Sequence, residues 1–137
     1  MTAFVDSDVI LDFLLNRGDH GLLAKKLFSY SRNGKINLFT SPIVLSNVYY
    51  MVSAMENKTI AKVKTLKLTK IIKILDLNSS IMLQALESKF KDIEDAFQNY
   101  CAENADIKIL ITRNIKDYKW SNLSILTPRE ILAKLGE

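Results

Sequence analysis

Carboxylates gather at three points of this chain. FVDSDVILDF, residues 4–13, carries Asp6, Asp8 and Asp12; KDIEDAF, residues 91–97, carries Asp92, Glu94 and Asp95; ITRNIKDY, residues 111–118, adds Thr112, Asn114 and Asp117. The first and third groups follow short apolar runs, AFV and KILI, that read as strands. In an open α/β sheet, ligands bind at the carboxyl ends of the strands. If these two strands are neighbours, the acids converge on one edge of the sheet. Burying unpaired carboxylates is costly, and convergent ones repel and partly protonate unless a cation neutralises them. Oxygen donors without a histidine or cysteine point to magnesium or manganese.

Several of these residues also have ordinary structural roles. Asp8 is placed to cap the first helix, a contribution of about 1 kcal/mol. Asp92 is placed to cap a later helix whose dipole Glu94 complements, and Asp12, one turn after Asp8, reads as a solvated side chain. Asp6 and Asp95 fit less well. Asp6 stands at a strand end rather than at a cap, and a third acid in one helical turn exceeds what capping needs. Asn47 lies in PIVLSNVYYMVSAM, apolar on nearly every side, so it reads as buried and needs hydrogen-bond partners. Those partners are either core groups or the acidic site.

The elements that must position these groups follow from the apolar pattern. Short apolar runs alternate with helix-length amphipathic runs, which predicts an α/β domain with a mainly parallel sheet. AFV is a first strand, followed by helices at about 8–16 and 21–32 and a strand at 37–39. SPIVLSNVYYMVSAM predicts a helix with Ser41 as N-cap and Pro42 at its first position. A lysine-rich helix at about 59–70, a strand at 72–75 and a helix from Ser79 to about Ser88 come next. DIEDAFQNYCAEN continues as a helix, KILIT as a buried strand, LSIL as a last strand and TPREILAKL as a closing helix. Thr127, Pro128 and Glu130 give that last helix a capping box with proline at its first position. No repeat, linker or low-complexity tract divides the chain, so residues 1–137 are expected to form one domain.

The chain is 48% hydrophobic and 25% charged, a globular rather than a disordered composition. Its 137 residues can bury roughly two thirds of the unfolded surface without disulfides or structural metals. One cysteine, Cys101, and one histidine, His20, exclude an internal disulfide and a zinc site, and suit a reducing compartment. No basic leader precedes a long apolar run, and no segment approaches the roughly 20 apolar residues of a membrane span. The expectation is a cytoplasmic protein with no membrane association.

The net charge of +4 is local: between Asn57 and Leu75 there is no acid, and Lys58, Lys62, Lys64, Lys67, Lys70 and Lys73 all fall there. Lys58, Lys62, Thr65, Thr69 and Lys73 recur at helical spacing as one polar stripe, off which Lys64, Lys67 and Lys70 lie. The stripe is either a solvated face or an RNA-binding surface formed by Lys58, Lys62 and Lys73, whose affinity would fall with salt.

Taken together, VDSDVILDFLLNR, SPIVLSNVYYMV, DIEDAFQNYCAENADIKILITRNIKDY and ILTPREIL resemble the PIN domain family in order and spacing across almost the whole chain. The resemblance is closest to bacterial members that act as ribonuclease toxins of type II toxin-antitoxin pairs. It implies a three-layer α/β/α domain around a central, mainly parallel sheet. It implies an endoribonuclease whose Mg²⁺ or Mn²⁺ is held by Asp6, Asp95 and Asp117, with Asp92, Thr112 and Asn114 in support. Metal-assisted hydrolysis of this kind leaves 5′-phosphate and 3′-hydroxyl ends. Ser7 stands where many members have a threonine supporting the metal site. RNA, a cognate antitoxin protein and a second copy of the chain are the partners implied.

Two departures matter. Many members carry a glutamate where this chain has Asn47, and many have TRD where it has Asn114. Each amide offers a carbonyl oxygen but removes a negative charge. These replacements favour the alternative of a catalytically weak or inactive RNA-binding or partner-binding module. A haloacid-dehalogenase-type phosphatase, suggested by DSDVIL and ILIT, fails on order: only 25 residues follow Thr112, and they hold no lysine followed by an acidic pair.

Overall fold

A computed structural model describes residues 1–136. The strands are β1 (Thr2–Val5), β2 (Asn37–Thr40), β3 (Ile72–Ile74), β4 (Ile109–Ile111) and β5 (Ser124–Leu126). The helices are α1 (Ser7–Leu14), α2 (Gly18–Arg32), α3 (Pro42–Met55), α4 (Lys58–Leu68), α5 (Ser79–Glu87), α6 (Ile93–Asn104) and α7 (Pro128–Lys134), with a 3₁₀ turn at Ile115–Tyr118. All strand pairs are parallel, in the order β3-β2-β1-β4-β5.

This order determines the layers. The chain crosses from β1 to β2 to β3 in one direction, then jumps from β3 over β2 and β1 to β4. Right-handed crossovers therefore put α1–α4 on one face of the sheet and α5 and α6 on the other, the α/β/α arrangement expected. Helices on both faces explain why Ala3, Phe4 and Val5 are all fully buried: a central parallel strand reads as a continuous apolar run, not an alternating one. Between β1 and β4 the winding reverses direction, and the crevice there is the usual ligand position.

Local signals give the helix starts. The Ser41 hydroxyl accepts from the Val44 N–H at 3.1 Å, with Pro42 in the first turn, and Thr127 and Glu130 make the reciprocal capping box. Asn57 and Asn78 cap α4 and α5 in the same way. The first helix differs from expectation. It begins at Ser7, and its N-cap is Asp6, not Asp8. No linker separates β1 from α1: Asp6, the one residue between them, continues the strand ladder through its N–H and caps the helix.

The second helix begins at Gly18 rather than near residue 21, because Asn16 and Gly18 take positive φ and turn the chain back at once. α2 then packs so closely on α1 that a Cβ at Gly21 would meet the Asp12 carbonyl oxygen at 2.9 Å. Among the described residues, no helix is long and apolar enough to cross a membrane.

Candidate active site

Asp6 directly follows β1 at the point where the winding reverses, and it is 7% exposed. Its backbone N–H donates to the Ile111 carbonyl of β4 at 3.0 Å, continuing the ladder that makes the two strands neighbours. Its carboxylate takes three hydrogen bonds: from the Ser7 N–H at 2.8 Å, the Thr112 hydroxyl at 3.1 Å and the Tyr118 hydroxyl at 2.9 Å. Burial, then the Asp8 charge, raises its pKa to about 6, and these hydrogen bonds oppose the rise.

Asp95 sits half-buried in the first turn of α6. Asp92 caps that helix, accepting from the Glu94 N–H at 2.8 Å and, more weakly, from Asp95 N–H at 3.4 Å. Burial first, then the charges of Asp6, Asp92 and Asp117, push Asp95 up to about 7. Asp95 thus feels the other three aspartates, with Asp6 beneath and Asp92, Asp95 and Asp117 lining a cavity of about 300 Å³. Lys91, Lys116, Lys119 and Trp120 complete that cavity.

Three expectations about the surrounding residues are corrected. Asp12 is 1% exposed rather than solvated. Arg113 grips both its oxygens, from Nε at 2.6 Å and Nη2 at 3.1 Å, and Arg17 lies at 3.6 Å. Asp8 is not the cap: it accepts from the Arg113 N–H at 2.9 Å, the Thr112 hydroxyl at 3.3 Å and the Asn114 amide at 3.2 Å. Asp8 and Asp12 together fasten the loop after β4 to α1. Asn47 is half-buried rather than buried, and its amide donates to Glu94 at 3.0 Å. Behind it, the buried Ser41 hydroxyl donates to Gln98, which joins the start of α3 to the helix that carries Asp95.

The structure thus brings Asp6, Asp92, Asp95, Asp117 and Thr112 together, with Ser7 contributing its backbone N–H. Asn114 turns toward Asp8, and Asn47 meets the acidic turn through Glu94. Lys58 and Lys62 are exposed on α4, but Lys73 lies on β3, so the three do not share a helix face. Lys73 instead sits 5.8 Å from the Phe39 ring centroid. Lys64, Lys67 and Lys70, the lysines off the stripe, line a groove with Lys25 and Arg32.

Sequence reasoning missed Tyr118 and Arg113. Tyr118 is 2% exposed, and burial with the Asp6 and Asp95 charges drives its phenol far above the ordinary value, so it stays a donor. Its only sequence signal was its place directly after Asp117 in a motif already singled out.

The donor set suits a hard cation: carboxylate oxygens alone, two of them on groups whose pKa burial and neighbouring acids raise. Among the described residues, no three His, Cys, Asp or Glu side chains are grouped so as to hold an ion directly. Magnesium usually keeps several waters and uses one or two carboxylates, so the Asp6–Asp95 region still fits it by donor type.

Comparison with known proteins agrees with this fold. The PIN domain family's sequence pattern matches residues 2–116. Ribonuclease VapC1 of Aquifex aeolicus (strain VF5) is 26% identical over 134 residues, which span 93% of this chain and 91% of that protein. Among solved structures, VapBC2 from Rickettsia felis bound to a DNA fragment from their promoter superposes with a TM-score of 0.71 at 18% identity, over 93% of this chain and 98% of that one. VapC20 of Mycobacterium tuberculosis, described as a Sarcin-Ricin loop cleaving toxin, gives 0.64 at 14% identity, over 79% and 86%.

Proposed function

Because the chain belongs to the PIN domain family, we propose that it is a divalent-metal-dependent endoribonuclease and the toxin of a toxin-antitoxin pair. One observation carries the reading. Asp95 stands within the field of Asp6, Asp92 and Asp117 at the crevice where the sheet's winding reverses, with its carboxyl raised to about 7. A structural role would not require a half-buried acid set against three others there. A divalent ion relieves the repulsion.

Asp6, Asp95 and Asp117 would hold Mg²⁺ or Mn²⁺, one or two of them directly and the rest through water. Such an ion supplies Lewis-acid stabilisation of charge at a phosphodiester and lowers the pKa of water. The chain's own residues do the rest. Thr112 and Tyr118 fix the Asp6 carboxylate, and the Arg113–Asp12 pair fixes the loop that carries Asp117. Lys91, Lys116 and Lys119 offset the charge of the incoming phosphates. The ribonuclease and toxin-antitoxin names of the relatives support the activity and an antitoxin partner. Exposed Tyr50, Met55, Leu66, Leu83 and Leu86 suit association with that partner or with a second copy.

A second reading, an RNA-binding or partner-binding module without catalysis, is favoured by Asn47 and Asn114. Each donates to a nearby carboxylate and neither adds charge to the acidic group. Incubation of structured RNAs with the protein in Mg²⁺, Mn²⁺ or EDTA, beside Asp95→Asn, separates the two. Metal-dependent cleavage that Asp95→Asn loses supports the nuclease. RNA binding without cleavage in any metal supports the module.

A further inference from the structure

The acidic cavity has a wall that catalysis by carboxylates does not account for. Trp120, the chain's single tryptophan, lines it beside Asp92, Asp95 and Asp117 and is 47% exposed. A large aromatic side chain left half in water at the rim of a charged cavity contributes little to the core. Its backbone, in contrast, is held on both sides. Tyr118, two residues earlier, is buried under the site. Ser121, the next residue, donates its N–H to the Tyr118 carbonyl at 2.9 Å and its hydroxyl to Asn99, a buried residue of α6. The Ser121 hydroxyl also accepts from the Leu123 N–H at 2.9 Å. The ring is therefore presented from a fixed turn.

Two cations attend the ring. Lys89 and Lys119 each place an ammonium 5.3 Å from the Trp120 centroid. Lys89 comes from the loop before α6, where its neighbour Phe90 packs edge-on against Tyr118 at 6.1 Å. Two separate loops thus bring an aromatic face, lysines and carboxylates to one place. Single-stranded nucleic acid is bound by this combination: bases stack on aromatic faces while cations follow the backbone. A stacked base outweighs an exposed lysine–ring contact, so a base arriving on the indole can displace an ammonium, which then meets the adjoining phosphate. The cavity, about 300 Å³, is at the lower end of ligand-site size and has room for about one nucleotide.

We propose that Trp120 is the stacking platform for an unpaired base next to the phosphodiester that the aspartates act on, with Lys116 and Lys119 holding the neighbouring phosphate. The proposal rests on the nuclease reading for its location but not for its test.

Because Trp120 is the only tryptophan, its fluorescence reports on the site directly. The protein in EDTA is titrated with a short single-stranded oligoribonucleotide and with the same oligomer made abasic, while anisotropy of a labelled oligomer measures binding separately. The expected result is quenching that saturates with binding by the base-containing RNA and is absent with the abasic one. Trp120→Ala should weaken binding about 5- to 150-fold, the range a stacked base supplies, while Trp120→Phe keeps most of it. Both variants should melt like the wild type, since the ring is half exposed.

Unchanged fluorescence at saturating RNA, equal quenching by the abasic oligomer, unaltered affinity in Trp120→Ala, or no RNA binding at all would each overturn the proposal. Quenching without cleavage in any metal would keep the platform and remove the nuclease. Cleavage with an unchanged KM in Trp120→Ala would do the reverse.

Discussion

Two concavities of opposite character lie on this molecule. The larger, about 600 Å³, is a basic groove lined by Lys25, Arg32, Lys64, Lys67 and Lys70 above Phe13 and Leu68, with no carboxylate in its wall. The smaller, about 300 Å³, holds three aspartates, three lysines and Trp120, over the buried Asp6. In the groove most of the charges stand in water at the ends of flexible side chains, and Lys64 is already satisfied by Glu56 at 2.7 Å and the Leu14 carbonyl at 3.0 Å. At the acidic cavity Asp6 is buried and fixed by three hydrogen bonds, and half-buried Asp95 is set against the charges of Asp6, Asp92 and Asp117. Size and charge density therefore mislead. The chemistry belongs where like charges are held together against their repulsion.

The largest expected effect of breaking this contrast is on the acidic side. Asp6→Asn and Asp95→Asn should each lower metal-dependent RNA cleavage on the order of 100-fold or more, the scale of losing an electrostatic group at a reacting centre. Initial rates with Mg²⁺ or Mn²⁺ measure it, and full activity in either variant would remove that residue from the site. Next comes Arg113→Ala, which strips the bidentate partner from a buried Asp12 and leaves only Arg17 at 3.6 Å. Because Arg113 is partly exposed, a loss of about 2–3 kcal/mol is expected, the low end of breaking a buried pair, read from denaturant unfolding. A change below about 0.5 kcal/mol would mean that Arg17 suffices.

The third effect is on pH dependence. Asp6 and Asp95 have folded pKa values of about 6 and about 7, above the ordinary 3.8. The unfolded chain therefore ionises first. The favourable contribution of the protonated groups is complete below about pH 4 and is lost as pH rises through the folded values. The metal-free protein should lose about 2 kcal/mol of stability between pH 4 and 8 from Asp6 and a further share from half-buried Asp95, reduced by solvent screening. Asp95→Asn should flatten the profile, and a wild-type profile that rises over this window would contradict the account.

The smallest effect sharpens the other side of the contrast. Lys67→Ala with Lys70→Ala should change stability by less than about 0.5 kcal/mol, since both side chains are exposed, while RNA affinity becomes less salt-dependent by up to about two phosphate contacts. An unchanged salt slope would leave the groove out of RNA binding.

What could be read from the sequence was what local chemistry determines. Ser41 with Pro42, and Thr127 with Glu130, set helix starts within a few residues of themselves. The alternation of apolar runs gave a parallel sheet and put Asp6 and Thr112 at strand ends. The contacts that finish the site link residues about a hundred positions apart: Arg113 to Asp12, Tyr118 to Asp6 and Asn114 to Asp8. Nothing in a local window couples them. Asp12 was therefore misread as solvated and Tyr118 passed unnoticed. The Asp6 cap was missed for a different reason, since strand end and helix cap normally fall on different residues. Lys73 was drawn into a helical stripe because its spacing fits, although the chain has entered β3 by then.

The central claim is that repelling carboxylates are gathered to hold a divalent ion. It is tested most directly by melting the wild type and Asp95→Asn at pH 8, each in EDTA and in millimolar Mn²⁺. Without metal, Asp95→Asn should be the more stable of the two, because it removes a charge that burial, Asp6, Asp92 and Asp117 all oppose. With metal the order should reverse, since an ion that binds only the folded state stabilises it by mass action and the variant has lost a ligand. Equal shifts in both proteins, or none in either, would contradict the claim.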